Sequence, residues 1–166
     1  MLSDRGISPK AAALGSSVAG AAVLLGRVGT GYLLDRFFAP KVAAVFFGGA
    51  AIGISLLWMG STAAILFVAA LFVGLGLGSE LDLIAYLTSR YFGLRAFGRV
   101  YSSAFAVFAL AGALGPLIMG AGFDFTGSYR GPLASFLAAT LLATALMTRL
   151  GPYRYVAGMG GENEVL

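Results

Sequence analysis

Five apolar stretches of roughly bilayer length, separated by short polar or Gly/Pro breaks, constrain this chain's fold more than any other feature. They cover about residues 11–34, 42–59, 63–89, 100–122 and 133–150, and from Ala63 to Ser79 there is no charged side chain at all. A soluble domain carries about 25% charged residues, whereas here Lys, Arg, Asp and Glu make up 11% of the chain and hydrophobic residues 59%. Eleven basic and seven acidic residues cannot cover a water-facing surface around 166 residues. The apolar surface must meet lipid, so the fold class is an all-α, polytopic transmembrane bundle. The runs lack the polar/apolar alternation of outer-membrane strands and are too long for them. Helices also satisfy their own backbone hydrogen bonds, as lipid demands.

The chain has no cysteine and no histidine, which leaves disulfides, thiolate metal sites and imidazole catalysis out of reach. No nucleophile–base pair, metal cluster or phosphate loop is visible, and Gly74, Gly76 and Gly78 lie inside an apolar run, unlike a nucleotide fingerprint. The sequence therefore predicts neither an enzyme nor a metal or cofactor site. The N-terminus is polar and mixed in charge, unlike a cleavable signal peptide. The segment 151–166 is polar and expected to be a disordered cytoplasmic tail.

Basic residues orient the bundle. With five spans, one side holds Arg27, Arg36, Lys41, Arg90, Arg95, Arg99, Arg149 and Arg154, and the other holds Arg5, Lys10 and Arg130. That asymmetry predicts an outside N-terminus and a cytoplasmic C-terminus, an odd start for a complete membrane protein. The net charge of +4 is thus a topological signal, with no nucleic-acid partner implied.

Intramembrane carboxylates are costly and point to function, and Glu80 and Asp82 both fall in the third stretch. At about 100° per residue they point roughly 160° apart. Asp82 shares a stripe with Ser79, Tyr86, Ser89 and Arg90, which reads as a polar, cavity-facing strip. Glu80 sits with Gly76, Ile84 and Leu87, which reads as a helix-contact face. Either carboxylate could carry a proton; the plainer alternative is a structural hydrogen bond to a neighbouring helix. Small residues at packing spacing, including Ser16 with Gly20, Gly49 with Gly53, and Gly74, Gly76 and Gly78, suit close helix approach. Gly115–Pro116 should loosen or kink the fourth span, because Pro removes an internal hydrogen bond. Trp58 reads as an interfacial anchor, as do Tyr101, Ser102 and Ser103 ahead of cavity lining.

Gly26 to Arg36, with Gly31, Asp35 and Arg36 followed by Lys41, resembles the Gly-x-x-x-Asp-Arg loop signature of the major facilitator superfamily. Here glycine would allow close helix contact, and the Asp35 carboxylate would accept bonds from an arginine or a helix N-terminus. The segment from Gly74 to Gly93 is similar to that family's tenth span and following loop. Gly98–Tyr101 with Gly112–Pro116 is similar to the eleventh span, and Asp124–Tyr129 to the outer loop before the twelfth. The branch most resembled contains oxalate/formate antiporters and monocarboxylate transporters. The resemblance covers nearly the whole chain and implies helices eight to twelve of a twelve-helix transporter, a C-terminal fragment or partial chain. It further implies secondary transport of a small organic anion, such as a monocarboxylate, by alternating access, with proton coupling or exchange. Residence would be in the cell (inner) membrane, and another polypeptide would supply helices one to seven. Oxalate-type members carry a basic residue in the helix matching the fourth span; residues 100–122 have none. Arg27 lies near a helix end, which argues against its standing in for that residue. The alternatives are a non-transporting membrane scaffold or subunit, or a truncated inactive product.

Overall fold

A computed structural model describes residues 9–60 and 62–155. The described residues form four helices and no strand: α1 (Pro9–Leu34), α2 (Ala39–Met59), α3 (Ala63–Thr126) and α4 (Arg130–Thr148). Each is long and apolar enough to cross a bilayer. The breaks between them have local causes. Pro40 sits in the first turn of α2, where its missing N–H costs nothing. Gly127 closes α3 in the left-handed conformation, at φ 64°, a common helix stop.

At 64 residues, α3 would be about 96 Å long if straight, against a hydrocarbon core of roughly 30 Å. It is not straight. Gly93, at φ 72° and ψ 169°, breaks it into limbs 63–92 and 94–126. The sequence suggested a basic linker over residues 90–99 instead. Helical hydrogen bonding continues on both sides, because one glycine at positive φ turns the chain without a Cβ penalty.

Contacts fix the directions of travel. Val23 backs onto Gly78 and Arg27 onto Asp82, so α1 and the first limb run parallel. Gly53 faces Ala69 and Val73 while Gly76 faces Ala50, so α2 lies antiparallel to that limb. Pro132, at the start of α4, packs on Gly122. Met147, near its end, joins the core of Leu34, Ala39, Val42, Ala43 and Leu83. The second limb therefore returns from the Gly93 end of the bundle to the opposite end, and α4 runs back along α2.

The seams use the small residues that the sequence singled out, apart from the exposed pair Ser16 and Gly20. A Cβ on Gly78 would run into the Val23 carbonyl, and one on Gly74 would lie 2.6 Å from the Ala19 carbonyl oxygen. Gly20 faces open space. Pro116 stands inside the second limb of α3, and Gly93 is the residue within α3 that leaves helical φ/ψ. The second limb leaves Val107, Leu110 and Leu117 about two-thirds exposed, an apolar surface that suits lipid far better than water.

Residues 151–155 depart from the expectation of a disordered tail. Tyr153 packs into the core cluster, and its phenol oxygen accepts the Ala39 N–H at 2.7 Å. Two tyrosines in a short polar segment bring enough apolar surface and hydrogen-bonding capacity to order it. Residues 156–166 lie outside the described residues, as do Arg5 and Ser61.

Candidate functional site

The parallel seam between α1 and the first limb of α3 brings together two opposite charges. Arg27 Nε lies 3.7 Å from Asp82 Oδ2, with the two side chains 53% and 35% exposed. Arg27 stands seven residues before the end of α1, about 10 Å along the axis. Its long side chain carries the charge across the seam, so nearness to the helix end does not keep it from Asp82. The sequence offered no sign of this pair, because the seam's register, Val23 on Gly78, is a tertiary property.

Asp82, Tyr86 and Arg90 follow at four-residue intervals and share one stripe, as the helical period predicts. Arg90 donates from Nη2 to Tyr86 Oη at 2.9 Å, with its guanidinium 4.9 Å from the ring centroid. Ser89 turns its hydroxyl onto the Tyr86 carbonyl at 2.8 Å. Ser79 does not belong to this stripe as an exposed group. It is fully buried, one turn from the buried Leu83, and donates to the Gly76 carbonyl at 2.7 Å. Glu80 is half-buried and has no hydrogen bond or ion pair among the described residues. Thr30, one turn beyond Arg27 on α1, is fully buried and its Oγ1 has no partner among the described residues. No sequence motif marked it.

The loop signature behaves differently from expectation. Gly31 faces open space, while Gly26 is the glycine in close contact, its Cα turned against the Leu75 backbone. Asp35 is exposed and its carboxylate has no partner among the described residues, so the expected charge-assisted bond is not made here. Arg36 lies over the Tyr32 ring at 4.1 Å, and Lys41 is exposed. Tyr101 stacks between Phe97 and Phe105, and Ser102 and Ser103 bond back to their own helix. Trp58 is half-exposed near the end of α2.

Bilayer-length helices with a small-residue seam and a charge pair within it indicate an integral membrane bundle, and comparison with known families gives its class. The model of the Major Facilitator Superfamily matches residues 1–160. The chain belongs to the major facilitator superfamily. No curated protein and no solved structure matches it. As a major facilitator protein it is an integral, multi-pass membrane protein, a secondary transporter that carries a small molecule across lipid and not an enzyme that transforms one.

Proposed function

We propose that this transporter carries a small organic anion of the monocarboxylate class, with Arg27 as the anion-binding group and Asp82 as its resident counter-charge. The Arg27–Asp82 pair carries this reading. At 3.7 Å it is an ion pair too long to be a hydrogen bond. The guanidinium has five N–H donors in a planar fork, and none of them is bonded to a described residue. A carboxylate matches that fork with two parallel bonds.

Asp82 offsets a cation that would otherwise be costly inside the bilayer. An arriving carboxylate competes with Asp82 for Arg27. Tyr86 and Arg90 continue the polar stripe toward the Gly93 end, Ser79 braces the seam beside it, and Glu80 is a second carboxylate available for coupling.

The five bilayer-length segments are read as helices eight to twelve of the superfamily, with the C-terminus in the cytoplasm of a cell (inner) membrane. In that register, alternating access would rock these helices against the family's other half.

Thermal unfolding of the purified protein in detergent, titrated with lactate and with formate, tests the site. A ligand at 100 times its Kd raises stability by about 2.7 kcal/mol. The parent should be stabilised by these anions, Arg27→Gln should not respond, and Asp82→Asn should respond at equal or lower anion concentration because a competitor is gone. Equal stabilisation of parent and Arg27→Gln would remove Arg27 from the site.

A further inference from the structure

The segment Gly151–Tyr155 crosses the Gly93 end of the bundle, touching α3 through Gly151, Tyr153 and Tyr155 and the start of α2 through Tyr153. Tyr91 Oη donates to the Gly151 carbonyl at 2.5 Å, the Ala39 N–H donates to Tyr153 Oη at 2.7 Å, and the Tyr155 N–H donates to the Arg90 carbonyl at 3.0 Å. The Tyr153 ring sits 4.8 Å from that of Phe38 and 5.7 Å from that of Tyr91, with the Arg90 guanidinium at 5.5 Å. The Tyr155 ring covers the chain reversal, where a Cβ on Gly93 would lie 3.1 Å from it.

Two of these bonds serve backbone groups at helix ends. The first N–H groups of a helix have no partner within it, and Phe38, at the N-cap of α2, has no side-chain capping bond. Tyr153, far along the chain, supplies the acceptor instead. The Arg90 carbonyl lies three residues before the break in α3, and Tyr155 supplies it with a donor. The start of α2, the last turn of the first limb and the reversal at Gly93 thus share one covering segment. That segment also reaches the outer end of the Asp82–Tyr86–Arg90 stripe.

We infer that Gly151–Tyr155 is a strap that holds this end of the bundle closed, and that the end opens only when Tyr153 and Tyr155 lift away. The consequence for transport rests on the alternating-access reading; the strap itself does not.

The chain has no native cysteine, so single cysteines can report on the strap directly. Ala43→Cys places a thiol in the buried cluster that Tyr153 covers, and Ala69→Cys places one in the α2–α3 seam, away from it. Each is combined with Tyr153→Phe, with Tyr153→Ala/Tyr155→Ala, and with a chain ending at Leu150, then reacted with a water-soluble maleimide. At position 43 labelling should quicken about threefold with Tyr153→Phe, in keeping with loss of one hydrogen bond, and more with the other two. Position 69 should stay slow throughout. Unchanged labelling at position 43, or equal acceleration at 43 and 69, would overturn the strap. Tyr153→Phe loses only a hydroxyl, so it keeps the test decisive if the shortened chain fails to fold. Faster labelling at 43 without any anion flux would leave the strap standing and count against the transport reading alone.

Discussion

Arg27 and Asp82 show how far a helical period carries and where it stops. The period put Asp82, Tyr86 and Arg90 on one stripe, and Arg90 meets Tyr86 along it. It could not find Arg27, because which residue of α1 meets Asp82 depends on how two parallel helices are shifted along each other. Ser79 lies close to two stripes, and the period alone could not say that it is buried against the seam. Asp35 was assigned a partner by resemblance, and it has none among the described residues. Asp35→Asn should accordingly change stability in detergent by no more than about 0.5 kcal/mol, as read by thermal unfolding. Tyr153 gives a pH prediction. Burial pushes its phenol above the ordinary tyrosine range, with smaller contributions from Tyr86, while the Ala39 N–H and Arg90 act in the opposite direction. The folded state thus favours the neutral phenol. Its contribution to stability is fully present below the ordinary value of about 10 and is lost as pH rises through the higher folded value. Tyr153→Phe should flatten that alkaline loss of stability.

Among the helices, the small-residue seams separate positions that composition alone cannot. A chain with 25 glycines gives no indication of which ones touch backbone. Gly78→Ala should cost about 1–3 kcal/mol, because the added methyl meets the Val23 carbonyl, and a backbone atom cannot rotate away. Gly115→Ala, facing open space, should be neutral or stabilising by up to about 1 kcal/mol, since alanine is the better helix former. A comparison of the two unfolding midpoints checks the seam without reference to function. Gly93→Ala should cost about 1–3 kcal/mol for a positive-φ extended backbone that essentially only glycine adopts, with a further cost where Tyr155 meets the methyl. The reversal itself was half legible. The basic run 90–99 marked a break between two apolar stretches, but one positive-φ glycine makes the break while the flanking residues stay helical. The tail was legible only as polar. That Tyr153 would find Ala39, across 114 positions, follows from where the helix ends come together.

Taken whole, the chain's five apolar stretches, its helical architecture and its membrane setting were all present in hydropathy and charge, and the family match to residues 1–160 agrees with them. The substrate was not, because recognition depends on a few side chains placed by packing. The proposed transport site is Arg27, held by Asp82 until a carboxylate takes its place. Countertransport in proteoliposomes tests it most directly: vesicles holding the protein, loaded with unlabelled lactate, are diluted into radiolabelled lactate. The parent protein, with whatever helices it carries in its native assembly, should accumulate label, Asp82→Asn should still exchange it, and Arg27→Gln should not. Accumulation by Arg27→Gln at the parent's rate, or none by the parent while it remains folded, would contradict the account and favour a non-transporting membrane subunit.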